Sequence, residues 1–239
     1  MKQSYPYSLS FLKGILLPIF LWIGFTPWSA WLDLKMSYAF YENGSFVSHP
    51  FWNWLYLYGI WPAWSLIGLA LIGLALSFSN AYRSWRKPCI FLLLTFAVGT
   101  GLIIHAVLKD NWGRPRPRQV TEFGGKQSFR AYYQPNFGQQ PEPSKSFASG
   151  HTSVGFYFFA LALLGMIYRS RFLYWLGIGV AWGLGSLLSM ARIAQGGHFL
   201  SDTLASALIM WLTAWVFAYF LFGWPNADDR RRNDERIDT

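Results

Sequence analysis

The chain has 239 residues, of which 53% are hydrophobic, 20% aromatic and only 13% charged, with a net charge of +9. So few charges cannot cover a water-soluble surface, which excludes a soluble globular domain; with most of the surface facing lipid, no nucleic-acid partner is expected either. The length fits one membrane domain, 1–224, followed by a short charged tail, 225–239.

Six apolar runs free of Lys, Arg, Asp and Glu follow one another: Gly14 to Leu32, Trp54 to Phe78, Cys89 to Leu108, Thr152 to Tyr168, Phe172 to Ala191 and Thr203 to Trp224. Each is near the roughly 20 residues a helix needs to cross the hydrocarbon core, where a helix satisfies its own backbone polar groups. The expected fold is an all-α bundle of six transmembrane helices. The first run is long enough to span and lacks a small-residue cleavage site after it, so it is read as retained. Pro18, Pro27 and Pro62 fall inside spans and should kink them. The segment from Asp33 to Asn53 alternates aromatics and is expected to lie along the outer interface, with His49 on its surface. Cys89, the only cysteine, can form no internal disulfide and reads as a packing residue. Gly177, Gly179, Gly183 and Gly185 give the fifth span a small-residue face for close packing.

Orientation follows from the short loops. Lys2 and Lys13 precede the first span, Arg83, Arg86 and Lys87 precede the third, Arg169 and Arg171 join the fourth and fifth, and Arg230, Arg231, Arg232 and Arg236 follow the sixth. With an even number of spans these all fall on one side, which the positive-inside rule makes the cytoplasm. The tail reads as disordered and as a topology determinant. Segments 33–53, 109–151 and 192–202 then face away from the cytoplasm.

The second of these outer segments is too long for an idle connection. Its Lys109, Arg114, Arg116, Arg118, Lys126, Arg130 and Lys145 outnumber Asp110, Glu122 and Glu142. Basic residues on the outer side run against the topology rule, and anion binding is the simplest use for them. Lys109 supplies a point charge and Arg116 a planar fork, a pair that matches phosphate. Ser149-Gly150-His151 opens the fourth span, where Gly150 lets backbone approach an anion and His151 is placed to protonate a leaving oxygen. Arg192 to Asp202 forms a polar island between two apolar runs. A helix starting near His198 would stack His198 and Asp202 on one face, so that the carboxylate fixes the ring tautomer and leaves the other nitrogen free as a nucleophile or base. His105, one turn before Lys109, reads as a hydrogen-bonded structural residue rather than a catalytic one.

Taken together, a Lys, six residues and an Arg-Pro, then a Ser-Gly-His, then an Arg, five residues, a His, three residues and an Asp resemble the type 2 phosphatidic acid phosphatase (PAP2) superfamily. The resemblance covers Cys89 to Trp224. It departs at Ala148 and Ala191, where the family has Pro and Ser; no catalytic position is lost. The resemblance implies that His198 is the nucleophile that forms a phosphohistidine, that Asp202 orients it, and that His151 protonates the leaving alcohol and then activates water. Lys109, Arg116, Ser149, Gly150 and Arg192 are implied as the phosphate cradle, with no metal and no cofactor.

The Lys109 to Pro117 run and the Gln195 to Phe199 run look most like a bacterial branch that includes lipid A 4′-phosphatases. This implies a membrane lipid phosphate substrate and a bacterial inner membrane, with both termini cytoplasmic and the site facing the periplasm. Undecaprenyl diphosphate, phosphatidylglycerophosphate and phosphatidic acid are alternative substrates. A lipid-to-lipid phosphotransferase and a non-catalytic lipid-binding protein are alternatives of other classes.

Overall fold

The computed structural model describes residues 7–138 and 143–223. Lys2, Glu142 and the tail 225–239, with the expectations stated for them, lie outside the described residues. Helix dominates, and six stretches are long and apolar enough to cross a membrane: Leu12–Tyr38, Pro50–Leu76, Asn80–Lys109, Gly150–Ile167, Arg171–Ala194 and Leu200–Phe222. The all-α, multi-pass architecture expected from the six apolar runs is the one observed.

The first helix, α1 (Tyr7–Tyr38), carries Pro18 and Pro27 inside it and runs six residues past the expected end. A two-residue hairpin follows, β1 (Tyr41–Glu42) and β2 (Ser45–Phe46), closed by Asn43 and Gly44 at φ 52° and 79°. Asn-Gly is the pair that a tight hairpin turn with two left-handed residues requires. The second span is two helices, α2 (Pro50–Tyr58) and α3 (Trp61–Leu76), each with Pro in its first turn. Pro62 therefore opens a helix instead of kinking one, because its missing N–H costs nothing there. The exposed His49 caps α2 by accepting the Phe51 N–H through Nδ1 at 3.2 Å.

The third span begins as α4 (Arg86–Thr95) and continues, π-wound, through Phe96–Lys109. The fourth is α5 (Gly150–Phe156) followed by α6 (Phe159–Ile167); the fifth is α7 (Arg171–Ala194) and the sixth α8 (Leu200–Phe222). Gly177 lies on the backbone of Ala162, and Gly185 on Gly155 and the Phe156 ring, so α7 meets α5 and α6 at close range. Gly179 and Gly183 face open space, contrary to the expected four-glycine face. At 100° per residue, positions 177 and 185 share a face, whereas 179 and 183 lie on the far side. Cys89 is buried against Gly73, the packing role expected of it.

Because the spans alternate in direction, one end of the bundle gathers Tyr38, Pro50, Lys109, Gly150, Ala194 and Leu200. Over it lies the segment from Asp110 to Ser149, held by a stack of Trp112, Phe147 and Tyr132 and by the Trp112 indole N–H donating to the Tyr132 carbonyl at 2.7 Å. Residues 33–53 are not one continuous amphipathic strip. They finish α1, form the hairpin, and send Tyr38, Tyr41 and Phe46 onto Phe123 of the overlying segment. These aromatics pack partly against protein, although Tyr38 stays 51% exposed.

Candidate active site

His198 sits in the turn between α7 and α8, one residue before the N-cap of α8, and is 2% exposed. Gly196 adopts φ 61° with Phe46 packed where a side chain would stand, and the Gly197 and His198 amides return to the Arg192 carbonyl at 2.9 and 3.3 Å. Only glycine takes such a turn without strain and with a ring so close. Because α8 starts at Leu200, His198 and Asp202 are not stacked on one helical face. The His198 Nδ1 lies 2.7 Å from the Ser146 carbonyl and 3.7 Å from Asp202 Oδ2. The first is a hydrogen bond; the second is an ion-pair distance only. A carbonyl can only accept, so Nδ1 carries the proton and Nε2 keeps its lone pair. Burial, chiefly, pushes the His198 ring down to about 4 from 6.5; Asp202 opposes this and Arg192 adds to it. The ring is held neutral with a nucleophilic nitrogen.

Asp202 is at the third position of α8 and closes its N-terminus by accepting the Phe199 amide at 2.8 Å. The same oxygen accepts the Ser146 hydroxyl at 2.5 Å, and the other oxygen accepts Arg114 Nη1 at 2.5 Å. Arg114 is completely buried. Its Nη2 reaches Asp33 Oδ2 at 2.7 Å, its Nη1 also donates to Ser201 Oγ at 2.8 Å, and its Nε donates to the Arg130 carbonyl at 2.9 Å. Asp33 in turn accepts the Ser201 amide and hydroxyl, each at 2.7 Å. Burial opposes the Arg114 charge, but Asp202 and Asp33 hold its pKa above the ordinary guanidinium range. One guanidinium therefore ties α1, the overlying segment and the start of α8 together and fixes Asp202 from behind.

Two further cations, Arg192 and Arg116, act on His198, and a third, Lys109, lies in their field. Arg192, 8% exposed at the end of α7, lies with its guanidinium against Gly197, where a side chain would otherwise project. Its Nη1 donates to Gln195 Oε1 at 2.6 Å, and its buried Nε has no partner among the described residues. Lys109 at the end of the third span lies in the field of Arg116 and Arg192, and Arg116 and Arg192 both act on the His198 ring. Among the described residues Lys109, Arg116 and Arg192 form no ion pair with any carboxylate. Three half-buried or buried like charges without counter-ions repel one another, and an anion between them relieves that. Arg118 is exposed, but its amide donates to the Gly196 carbonyl at 3.2 Å, joining this segment to the His198 turn.

Ser149 is the N-cap of α5. Its Oγ accepts the Thr152 amide at 3.4 Å and shares a 2.8 Å hydrogen bond with the Thr152 hydroxyl. The Ser149 amide reaches the Asp202 carbonyl at 3.3 Å, and Ser206 Oγ donates to the Ser149 carbonyl at 2.9 Å, which docks the start of α5 on α8. The side-chain face of Gly150 is filled by the His105 ring, which forms no hydrogen bond among the described residues. His151 lies in the field of Arg192, Lys109 and Arg116, and its ring stacks on Tyr56 of α2 with centroids 4.3 Å apart.

All eight candidate residues from the sequence thus come to one end of the bundle. Asp33, Ser146, Ser201 and Tyr56 also stand at this end of the bundle though no motif names them, and Arg114, one of the segment's many cations, joins them. For Asp33 a signal existed: a lone carboxylate next to an apolar run is expensive at membrane depth and calls for a partner. Ser146 reaches Asp202 through its hydroxyl but His198 through its backbone carbonyl, which no residue type announces.

A model of the PAP2 superfamily matches residues 90–225. The lipid A 4′-phosphatase of Francisella tularensis subsp. novicida is 30% identical over 211 residues, covering 85% of this chain and 91% of that protein. The lipid A 4′-phosphatase of Rhizobium leguminosarum is 26% identical, over 65% of this chain and 62% of that one. That of Rhizobium etli is 25% identical, over 58% and 50%. No solved structure matches the chain. A match over more than half its length, running through the His151, Arg192 and His198 segments that the fold brings together, makes this chain a member of the PAP2 superfamily.

Proposed function

We propose that this PAP2 phosphatase hydrolyses a phosphate ester of lipid A, through a phosphohistidine, at the periplasmic face of a bacterial inner membrane. The observation that carries the catalytic part is the trio Lys109, Arg116 and Arg192, unpaired by carboxylates beside a neutral, Nδ1-protonated His198. Phosphoryl transfer is achieved mostly by positioning and charge stabilisation, and such a trio supplies both. The 30% identity to a lipid A 4′-phosphatase over 85% of the chain supports the substrate. The basic loops at the opposite end of the bundle, Arg83 to Lys87 and Arg169 to Arg171, support the sidedness.

In the first step His198 Nε2 attacks phosphorus while His151, protonated once the bound phosphate anion offsets Arg192, Lys109 and Arg116, gives its proton to the departing alkoxide, so one P–N bond forms as one P–O bond breaks. Because Nδ1 keeps its hydrogen, the phosphorylated ring is cationic and is a good leaving group; Asp202 at 3.7 Å favours that charge. In the second step His151 takes a proton from water, the hydroxide oxygen bonds to phosphorus, the P–N bond breaks and phosphate leaves with His198 neutral again. The Ser149 hydroxyl is engaged with Thr152 and its amide with the Asp202 carbonyl, so the Ser-Gly-His segment serves the phosphate through the Gly150 and His151 amides.

Purified full-length protein incubated with lipid A, undecaprenyl diphosphate, phosphatidylglycerophosphate and phosphatidic acid in separate micelles tests the substrate. The fastest phosphate release is expected from lipid A, and none from any lipid with His198→Ala. Fast release from undecaprenyl diphosphate with none from lipid A overturns the assignment. Release of free phosphate with a single lipid present separates hydrolysis from transfer to a second lipid.

A further inference from the structure

We propose that Tyr56 is a positioning residue whose aromatic ring, rather than its hydroxyl, sets both the His151 imidazole and the Arg192 guanidinium. The inference rests on reading His151 as the acid of the proposed reaction. Tyr56 belongs to α2, outside the 90–225 segment that the family model matches. Its ring is nearly parallel to that of His151, at 16° and 4.3 Å between centroids, and the Arg192 guanidinium carbon stands over the same ring at 4.7 Å. No other aromatic ring among the described residues contacts either group. A π face accepts a neutral imidazole by stacking and an imidazolium or guanidinium by cation–π attraction, so it can hold His151 in either protonation state.

The position of Tyr56 is itself over-determined. One turn earlier on α2, Asn53 Oδ1 accepts Gln195 Nε2 at 3.0 Å, and Gln195 Oε1 accepts Arg192 Nη1 at 2.6 Å. Positions 53 and 56 face the same way on a helix. The two together brace Arg192 from α2, by a polar relay through one and an aromatic face through the other. Among the described residues the His151 ring forms no hydrogen bond, so held by the aromatic face it can give its proton from its edge.

The test uses purified full-length protein with Tyr56→Phe, Tyr56→Leu and His151→Ala, assayed on p-nitrophenyl phosphate, whose leaving group needs no proton, and on an alkyl phosphate, whose leaving group does. Tyr56→Phe should stay within about threefold of wild type on both, because the ring remains. Tyr56→Leu should lose roughly tenfold to a hundredfold in kcat on the alkyl ester and under about threefold on the aryl ester, the signature of a misplaced acid. It should also weaken inhibition by inorganic phosphate at least about threefold, since Arg192 loses its support. If Tyr56→Leu does not fold, Tyr56→Met keeps the volume without the π face and carries the same expectations.

Equal losses on both esters with unchanged phosphate inhibition, or wild-type behaviour throughout, overturn the role of Tyr56. A His151→Ala enzyme that loses equally on both esters overturns the acid reading separately; the phosphate-inhibition measurement on Tyr56→Leu still decides the Arg192 half of the inference.

Discussion

Replacing Asp33 with Ala tests whether the buried ion network holds the active end together. Asp33 accepts three hydrogen bonds, from Arg114 Nη2, the Ser201 amide and the Ser201 hydroxyl, all at 2.7 Å and all with no solvent exposure at the ion pair. Its removal leaves the Arg114 charge with one carboxylate, Asp202, instead of two. Breaking a buried pair by deleting one partner costs about 3–5 kcal/mol, mostly the penalty of the charge left behind. For a chain of this size that is a fall in Tm of about 6–20 °C. Thermal unfolding in detergent, followed by tryptophan fluorescence, measures it, and phosphate release at a temperature where the variant is folded measures the effect on Asp202. Asp33→Asn keeps an oxygen that can accept, and should fall between wild type and Asp33→Ala. Arg114→Ala strands two carboxylates and should be the least stable of the three. An Asp33→Ala protein that melts with wild type, or an Arg114→Ala protein more stable than Asp33→Ala, refutes the network as a source of stability.

Gly197→Ala puts a methyl group where the Arg192 guanidinium lies. Since the obstructed atoms are the end of a flexible side chain, Tm should hardly move, while kcat/KM falls roughly tenfold to a hundredfold from the displaced charge; unchanged kinetics would place Arg192 outside the phosphate site. The acid limb of kcat/KM, after the substrate's own ionisation is divided out, should lie well below 6.5, because burial holds the His198 ring neutral down to about 4. The sign for stability is the same. His198 binds its proton more readily in the unfolded chain, so its contribution is complete above about 6.5 and is lost as pH falls toward 4; an acid limb centred on 6.5 or higher contradicts the neutral nucleophile. Turnover should survive excess EDTA, as the cations Lys109, Arg116 and Arg192 supply the charge stabilisation; loss of activity that zinc or magnesium restores would show a metal requirement.

The spans were legible in the sequence, because apolar runs of span length are local signals, and the motif spacing named the eight candidate positions that the fold gathers at one end of the bundle. The wiring between them was not. That Asp202 faces Arg114 and the Phe199 amide while His198 faces the Ser146 carbonyl depends on where α8 starts, and a cap two residues later than expected turns the ring away from its neighbour in sequence. Asp33 falls just beyond the first apolar run because a charge ends such a run; its burial depends on Arg114, 81 residues on. Tyr56 gave no signal at all among so many aromatics, since what matters is which two groups its ring meets.

The arrangement of Asp33 and Tyr56 also bears on how relatives of this protein can be recombined. The stretch that defines the superfamily begins at residue 90, yet one of its buried charges is balanced from the first helix and two of its working side chains lean on the second. Grafting 90–225 behind the amino-terminal helices of a distant homologue would therefore give an inserted but idle protein unless the donor supplies a carboxylate and an aromatic ring at those heights.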